Sequence, residues 1–332
     1  MTLKIAINGF GRIGRSVLRL VLDRTDMDVV CINDIAELET LAYLFAYDSV
    51  FGPYPGAVSH RTGHLVVNGH SIPVHRQGDV AGLDLGGVDI LMECTGRANT
   101  RPVAEAGLRA GAQRVLISGP SEAADVTAVV GANDASAVGA QIVSNASCTT
   151  NALAPLLKLL DSAFGVETGH MTTIHCYTGS QPMVDAPRGG LERSRAGALS
   201  MVPTSTSAGR LVDMVLPELA GRVTARAVRV PTASVSALDL MVTLRKAPKL
   251  DEISLWLKSV AGGPLIGWTD QPLVSADLRM RPESVVIQSS EISVAKGGLT
   301  RIFGWYDNEW GFSNRMLDMA QVMMGARPAS PR

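Results

Sequence analysis

The chain has 332 residues, 46% hydrophobic, 18% charged and 5% aromatic, with 33 Gly and 17 Pro, a composition that excludes disorder, a collagen-like repeat and a disulfide scaffold. This length exceeds what one hydrophobic core supports, so two domains are expected. Thirty basic residues against 31 acidic give a formal net charge of −1, which offers no global attraction to nucleic acid or to an anionic membrane.

Lys4 to Asn8 reads as a short buried strand, and Arg12 to Arg24 as a helix with Ile13, Val17, Leu20 and Val21 along one face. The apolar stretch at the N-terminus is too short for a signal-peptide core and is broken by Asn8 and Gly9, which points to a cytoplasmic chain. Further buried strands are expected at Asp28 to Asn33, Ile90 to Glu93, Arg114 to Ser118, Ala128 to Gly131 and Gln141 to Ser144, with a helix over Pro102 to Ala110. Short apolar strands separated by helices argue for a parallel, helix-covered sheet. Residues 135 to 157 carry no charge, but eight polar side chains rule out a lipid-facing helix.

Past residue 148 the pattern changes. A helix over Thr149 to Phe164 leads into longer runs at Gly169 to Tyr177, Ala225 to Val230, Ser234 to Lys246, Ser284 to Ser293 and Thr300 to Tyr306. Between the first two runs lie an aperiodic Gly/Arg-rich excursion, Thr178 to Pro203, and a helix over Ala208 to Leu216. This predicts a second, largely antiparallel domain with helices on one face. The last helix, Ser313 to Met324, carries Met316, Met319, Met323 and Met324 as a core-facing stripe, followed by a frayed tail at Ala326 to Arg332.

Gly9-Phe10-Gly11-Arg12-Ile13-Gly14 begins where the first strand ends and opens the first helix. In such a turn Gly9 reverses the chain, Gly11 lets a pyrophosphate approach the backbone, and Gly14 allows close helix–strand packing. Asp34 ends the second strand 20 residues beyond Gly14, where an acid accepts from both ribose hydroxyls and repels a 2′-phosphate, favouring NAD over NADP. The alternative is a glycine-rich turn that holds no ligand.

Cys31, Cys94, Cys148 and Cys176 form no C-x-x-C pair, which argues against a zinc site and for a reducing compartment. Cys31 and Cys94 have apolar neighbours and read as core. Cys148 sits among Ser, Thr and Asn, and a helix starting at Ser147 or Cys148 places its thiol in the positive field of the N-terminus, which lowers a thiol pKa. In a strand, His175 shares a face with Thr173 and Tyr177, as a structural hydrogen-bonder or as the base a thiol nucleophile needs. His60 and His64 read as loop residues, and no metal site is expected.

Four segments together resemble phosphorylating glyceraldehyde-3-phosphate dehydrogenase: Asn8 to Arg15, Ala146-Ser147-Cys148-Thr149-Thr150-Asn151, Arg229-Val230-Pro231-Thr232 and Trp305 to Gly311. The resemblance runs in order from about residue 3 to residue 324. It implies an α/β chain: a Rossmann-type parallel-sheet NAD domain over 1–147, joined by the C-terminal helix 313–332, and an α+β catalytic domain over 148–312 with the long loop 178–203. It further implies oxidation of glyceraldehyde 3-phosphate with NAD and inorganic phosphate, in a homotetramer.

By the same resemblance Cys148 is the nucleophile and His175 the base. Thr178, Ser180 and Arg229 hold the substrate phosphate, Ser147, Thr149, Thr206 and Ser207 the attacking phosphate, and Arg193 is shared between them. Arg12 and Ile13 contact the pyrophosphate, Arg76, Thr95, Gly96 and Ser118 line the adenosine side, and Asn308 holds the nicotinamide carboxamide. The chain departs from the family's common pattern at Ala152, where a second cysteine is usual, at Ser205-Thr206-Ser207, at Ser118-Gly119-Pro120 and at Asp185 to Leu191. A sister activity, erythrose-4-phosphate dehydrogenase, shares the Cys/His pair but uses water as nucleophile, and a silent regulatory or redox-sensing paralogue is the alternative of another class.

Overall fold

The computed structural model describes residues 2–325. The tail at Ala326 to Arg332, and with it the end of the helix expected over 313–332, lies outside the described residues. The chain divides into two compact units. One comprises residues up to Ala128, Asp134–Ala146 and the segment from Ser313; the other comprises Val129–Asn133 and Ser147–Phe312.

Among the described residues the first unit holds nine strands: β1 (Leu3–Asn8), β2 (Met27–Asn33), β3 (Val58–Arg61), β4 (His64–Val67), β5 (His70–His75), β6 (Ile90–Glu93), β7 (Arg114–Ile117), β8 (Val126–Thr127) and β9 (Ile142–Ser144). They form one sheet in the order β3-β4-β5-β2-β1-β6-β7-β9-β8. Every pairing from β5 to β8 is parallel, while β3, β4 and β5 form an antiparallel meander. Ile5, Ile7, Ile90, Met92, Leu116 and Val143 are buried to within 1% in its core. Strands covered on both faces have no polar alternation, and that is why these runs are continuously apolar.

Several expectations are corrected. The first helix is Arg12–Val21 and does not reach Arg24. Arg24 instead forks onto Asp26 with bonds of 2.8 and 2.7 Å, drawing the chain out of the helix. The stretch Ala128 to Gly131 is not a strand: the N–H groups of Ala132 and Asn133 both donate to the Val129 carbonyl and close a turn. Pro102 to Ala110 is two short helices, Arg101–Ala104 and Ala106–Arg109, on either side of Glu105. His60 and His64 lie in β3 and β4, with Thr62-Gly63 as the tight turn between them.

The second unit carries β10 (Val166–Cys176), β11 (Val202–Thr204), β12 (Val223–Val230), β13 (Ser236–Leu244), β14 (Ile266–Thr269), β15 (Val285–Gln288), β16 (Ser293–Val294) and β17 (Leu299–Tyr306). Their order is β11-β12-β10-β13-β17-β15-β14, with β16 on β17. The sheet is largely antiparallel; β10 with β12 and β14 with β15 are its parallel pairs. The chain is therefore α/β, a parallel Rossmann-type sheet followed by a mixed one. The methionine stripe does face a core: Met316, Met319 and Met323 are fully buried on the helix Trp310–Met323.

Two glycines of the first turn have demands that no other residue meets. Gly9 sits at φ +92°, and a Cβ there would stand 2.8 Å from the Cys94 backbone carbon. At Gly14 a Cβ would lie 2.3 Å from the Gly9 carbonyl oxygen, a backbone atom that cannot swing aside. We expect Gly14→Ala to lower unfolding stability by about 1–3 kcal/mol. Gly11→Ala, whose Cβ would meet nothing within 4 Å, should stay within about 0.5 kcal/mol. Urea titration of both variants checks the pair, and equal midpoints would show that close packing at Gly14 is not the constraint.

Candidate active site

Strand order reverses about β1, so the carboxyl ends of β1, β2 and β6 open on a crevice, as parallel sheets do at such a switch point. This cleft has a volume of about 550 Å³ and is walled by Asn8, Gly9, Gly11, Asn33, Asp34, Glu93 and Thr95, among others. The helix Arg12–Val21 starts here with no side-chain cap and no acidic residue in its first turn. Its N–H groups are therefore available to an anion.

Asp34 is held at the cleft edge. Its Oδ2 accepts from the Phe10 N–H at 2.7 Å and its Oδ1 from the Ala36 N–H at 2.9 Å, and each oxygen keeps a further acceptor site. Beneath the glycine turn lies a buried polar network that the sequence reading missed. Asn8 Nδ2 donates to Glu93 Oε2 at 2.5 Å, Asn33 Nδ2 to Asn8 Oδ1 at 2.8 Å, and the Thr95 N–H to Glu93 Oε1 at 2.9 Å. Asn8, Asn33 and Glu93 are the last residues of β1, β2 and β6, and sequence periodicity gives no sign of partners 85 residues apart.

Arg12, Ile13, Gly14, Arg76, Gly96 and Ser118 are not among the cleft walls. Arg12 is ion-paired with Asp48 and lies 4.9 Å over the Phe51 ring. Arg76 donates to the Ile35 carbonyl at 2.8 Å and pairs with Glu37 at 2.6 Å. Ser118 partly opposes the upward shift that burial gives the Cys94 thiol.

In the second unit Cys148 opens the helix Cys148–Phe164, and the cap is Ser147, whose Oγ accepts from the Thr150 N–H at 3.1 Å. Cys148 Sγ lies 3.6 Å from His175 Nε2. β10 brings His175 there, and its parallel register with β12 sets His175 directly beside Arg229. His175 Nδ1 lies 2.7 Å from the Cys176 carbonyl oxygen, to which Arg229 also donates at 2.9 Å. Arg229 Nη1 lies 2.8 Å from the same Nδ1, so a proton on Nδ1 suits the carbonyl and a lone pair suits the guanidinium; with the proton on Nδ1, Nε2 presents its lone pair to the thiol.

Burial and then the adjacent Arg229 charge pull His175 down to about 4, so its ring is neutral at physiological pH. Burial pushes the Cys148 thiol upward, against the opposing pull of Arg229 and of Thr149. The lowering expected from the helix N-terminus is outweighed, because desolvation acts on the whole charge of a thiolate. The resting pair is a thiol facing a neutral base.

The predicted phosphate ligands fall into small groups. Thr178 Oγ1 and Ser180 Oγ are 2.9 Å apart. Arg193 is aimed by bonds to Thr204 Oγ1 at 2.8 Å and the Ser205 carbonyl at 2.9 Å, and shares a hollow with Ser180 and Ser205. Thr206 Oγ1 accepts the Ala208 N–H at 3.2 Å as the helix Ala208–Val215 begins, with Ser207 at its cap. Thr149 is buried with its hydroxyl 2.9 Å from Tyr306 OH, which also lies 2.7 Å from Thr173 Oγ1. Tyr306 was not singled out in the sequence; its ring stands edge-on to His175, centroids 6.1 Å apart.

A dinucleotide cleft in one unit and a cysteine–histidine pair in the other define an NAD-dependent oxidoreductase. Residues 3–101 match the NAD-binding domain of glyceraldehyde 3-phosphate dehydrogenase, and residues 147–308 match its C-terminal domain. The chain belongs to the glyceraldehyde-3-phosphate dehydrogenase family. A glyceraldehyde-3-phosphate dehydrogenase of Xanthobacter flavus is 48% identical, over 97% of this chain and 99% of its own. One from Cereibacter sphaeroides is 46% identical over 97% and 99%, and one from Geobacillus stearothermophilus 43% identical over 96% and 98%.

Arg229 draws the thiol toward its anion and the imidazole away from its cation. In Arg229→Gln, alkylation of Cys148 by uncharged iodoacetamide at pH 8 should slow roughly fivefold, because the thiolate fraction falls. A rate equal to that of the parent chain would remove Arg229 from control of the thiol.

Proposed function

We propose that this chain catalyses the NAD-dependent phosphorylating oxidation of D-glyceraldehyde 3-phosphate to 1,3-bisphosphoglycerate. The observation that carries the reading is the Cys148 thiol 3.6 Å from His175 Nε2, beside Arg229. His175 takes the thiol proton as Sγ bonds to the aldehyde carbon, and returns it to the new oxyanion, giving a thiohemiacetal. It then takes the hydroxyl proton as that carbon is oxidised to the thioester. NAD, when bound, supplies the hydride acceptor. Phosphate attacks the thioester carbon, the C–S bond breaks, and the proton on His175 returns to the departing sulfur.

Two anions are held through this sequence. Thr178, Ser180 and Arg229 bind the substrate phosphate, Ser147, Thr149, Thr206 and Ser207 the attacking one, with Arg193 shared; hydroxyl and guanidinium donors are what phosphate oxygens need. In the cleft the backbone of Gly9, Gly11, Arg12, Ile13 and Gly14 takes the pyrophosphate, and Asp34 the ribose hydroxyls. Arg12 would act there through its N–H, since its guanidinium is engaged by Asp48. Arg76, Thr95, Gly96 and Ser118 serve the adenosine side, and Asn308 the carboxamide.

Met183, Val184, Leu191, Leu199 and Met201, all in the loop 178–203, are more than 70% exposed. Such an apolar surface fits the homotetramer that the family resemblance implies. Light scattering reads this: a species at the 35.0 kDa of one chain would overturn it. Four free cysteines fit a cytoplasmic setting, and among the described residues no helix is long and apolar enough to cross a membrane.

Purified protein with NAD should oxidise glyceraldehyde 3-phosphate at a rate that rises with added inorganic phosphate, and Cys148→Ser should lose the oxidation by at least about 10³-fold while still binding NAD. Turnover indifferent to phosphate, or faster with erythrose 4-phosphate, would favour the hydrolytic sister activity. Silence toward both substrates would favour a regulatory paralogue.

A further inference from the structure

The residue after the base is also a cysteine, and every polar group it has is engaged. The Cys176 carbonyl accepts from Arg229 and lies 2.7 Å from His175 Nδ1, and its N–H donates to Ser236 Oγ at 3.2 Å. Its thiol lies 3.1 Å from Asn308 Oδ1, and Ser236 Oγ lies 3.3 Å from the same oxygen. Cys176 is fully buried, Ser236 likewise, and Asn308 is 7% exposed. Burial pushes the Cys176 thiol up to about 12, so it carries its proton at any working pH.

Two donors converge on one end of the Asn308 amide. That end is the oxygen, to which the thiol and the hydroxyl each have a hydrogen to offer, whereas the thiol sulfur would be a weak acceptor for an amide N–H. The remaining end, Nδ2, donates to no described residue. A buried amide whose orientation is set at one end presents a defined donor at the other, whereas an unconstrained one flips between donor and acceptor. The backbone at Ser236 is itself held: Val235 before it sits at φ +64°, a left-handed conformation that a β-branched residue adopts only when its surroundings impose it.

We propose that Cys176 is a positioning residue: its thiol, with the Ser236 hydroxyl, fixes the Asn308 amide so that Nδ2 is the donor offered to the NAD carboxamide. This rests on the assignment of Asn308 to the carboxamide given above. Cys176 joins that amide to the base through a single residue, its carbonyl holding His175 and its side chain holding Asn308.

The test measures NAD dissociation constants by fluorescence titration of the full-length protein, with no substrate present. Cys176→Ala removes the donor and should weaken NAD about five- to tenfold, while Cys176→Ser restores a donor and should stay within about twofold of the parent. A purely packing role would instead rank the two by volume and hydrophobicity, with Ser no better than Ala. Asn308→Ala separates the layers of the argument. If it weakens NAD while Cys176→Ala does not, the positioning role falls and the Asn308 assignment stands. If it leaves NAD binding unchanged, the Asn308 assignment itself falls, and this proposal with it. Should Cys176→Ala fail to fold, Cys176→Val removes the same donor while filling the space, and the same ranking against Ser decides.

Discussion

The Cys176 carbonyl oxygen lies 2.7 Å from His175 Nδ1 and accepts from Arg229 at 2.9 Å, and Arg229 Nη1 lies 2.8 Å from the same Nδ1, a three-way contact that fixes the two groups beside the thiol. The arrangement depends on β10 and β12 being parallel neighbours in a sheet whose other pairings are mostly antiparallel. Parallel register sets His175 against Arg229, while β13 on the other side of β10 contributes Ser236. When the ring proton is on Nδ1, toward the carbonyl, Nε2 can act only as acceptor until it takes a proton. Arg229 makes both members of the pair more willing to release a proton, because a nearby cation favours thiolate over thiol and neutral over charged imidazole. A histidine with a neutral resting ring has the capacity to accept a proton.

The dinucleotide cleft works by a different economy of charge. A formal net charge of −1 cannot draw in a cofactor or a phosphorylated substrate from a distance. Attraction has to be local and made of aligned dipoles: the uncapped start of the helix Arg12–Val21 meets the crevice where Gly11 leaves open space. The buried Asn8–Asn33–Glu93 network ties the ends of β1, β2 and β6 together beneath it. Each of these strands would otherwise end in unpaired polar groups, so the network stabilises the edge that the ligand would press against.

What was legible in the sequence follows from which forces act locally. Ile90 to Glu93 was read to the residue because a buried parallel strand is a continuous apolar run with sharp polar ends. Ala128 to Gly131 was misread for the same reason, since a buried turn closed on the Val129 carbonyl looks equally apolar. The helix Leu38–Ala46, the β3–β5 meander and the helix Leu250–Val260 escaped notice: half-exposed elements with mixed composition owe their form to neighbours distant in sequence. That Cys148 opens a helix and that His175 lies on a strand was legible from cap and strand patterns, as was the glycine turn between β1 and the first helix from its spacing. Tyr306, Glu93 and the Cys176–Asn308 link were not, because each is defined by partners between 85 and 157 residues away or by a side-chain contact that periodicity cannot encode.

The four thiols show how little resting acidity says about reactivity here. Burial pushes Cys31 up to about 11, Cys94 and Cys176 up to about 12, and Cys148 upward as well. Cys176 has a hydrogen-bond acceptor, Asn308 Oδ1, but an amide oxygen is far too weak a base to take its proton. Cys148 instead faces Nε2 of an imidazole that burial, and then the Arg229 charge, keep neutral. What distinguishes Cys148 is therefore its partner and not its own acidity: its Sγ lies 3.6 Å from an imidazole nitrogen, the kind of group a thiol nucleophile needs beside it.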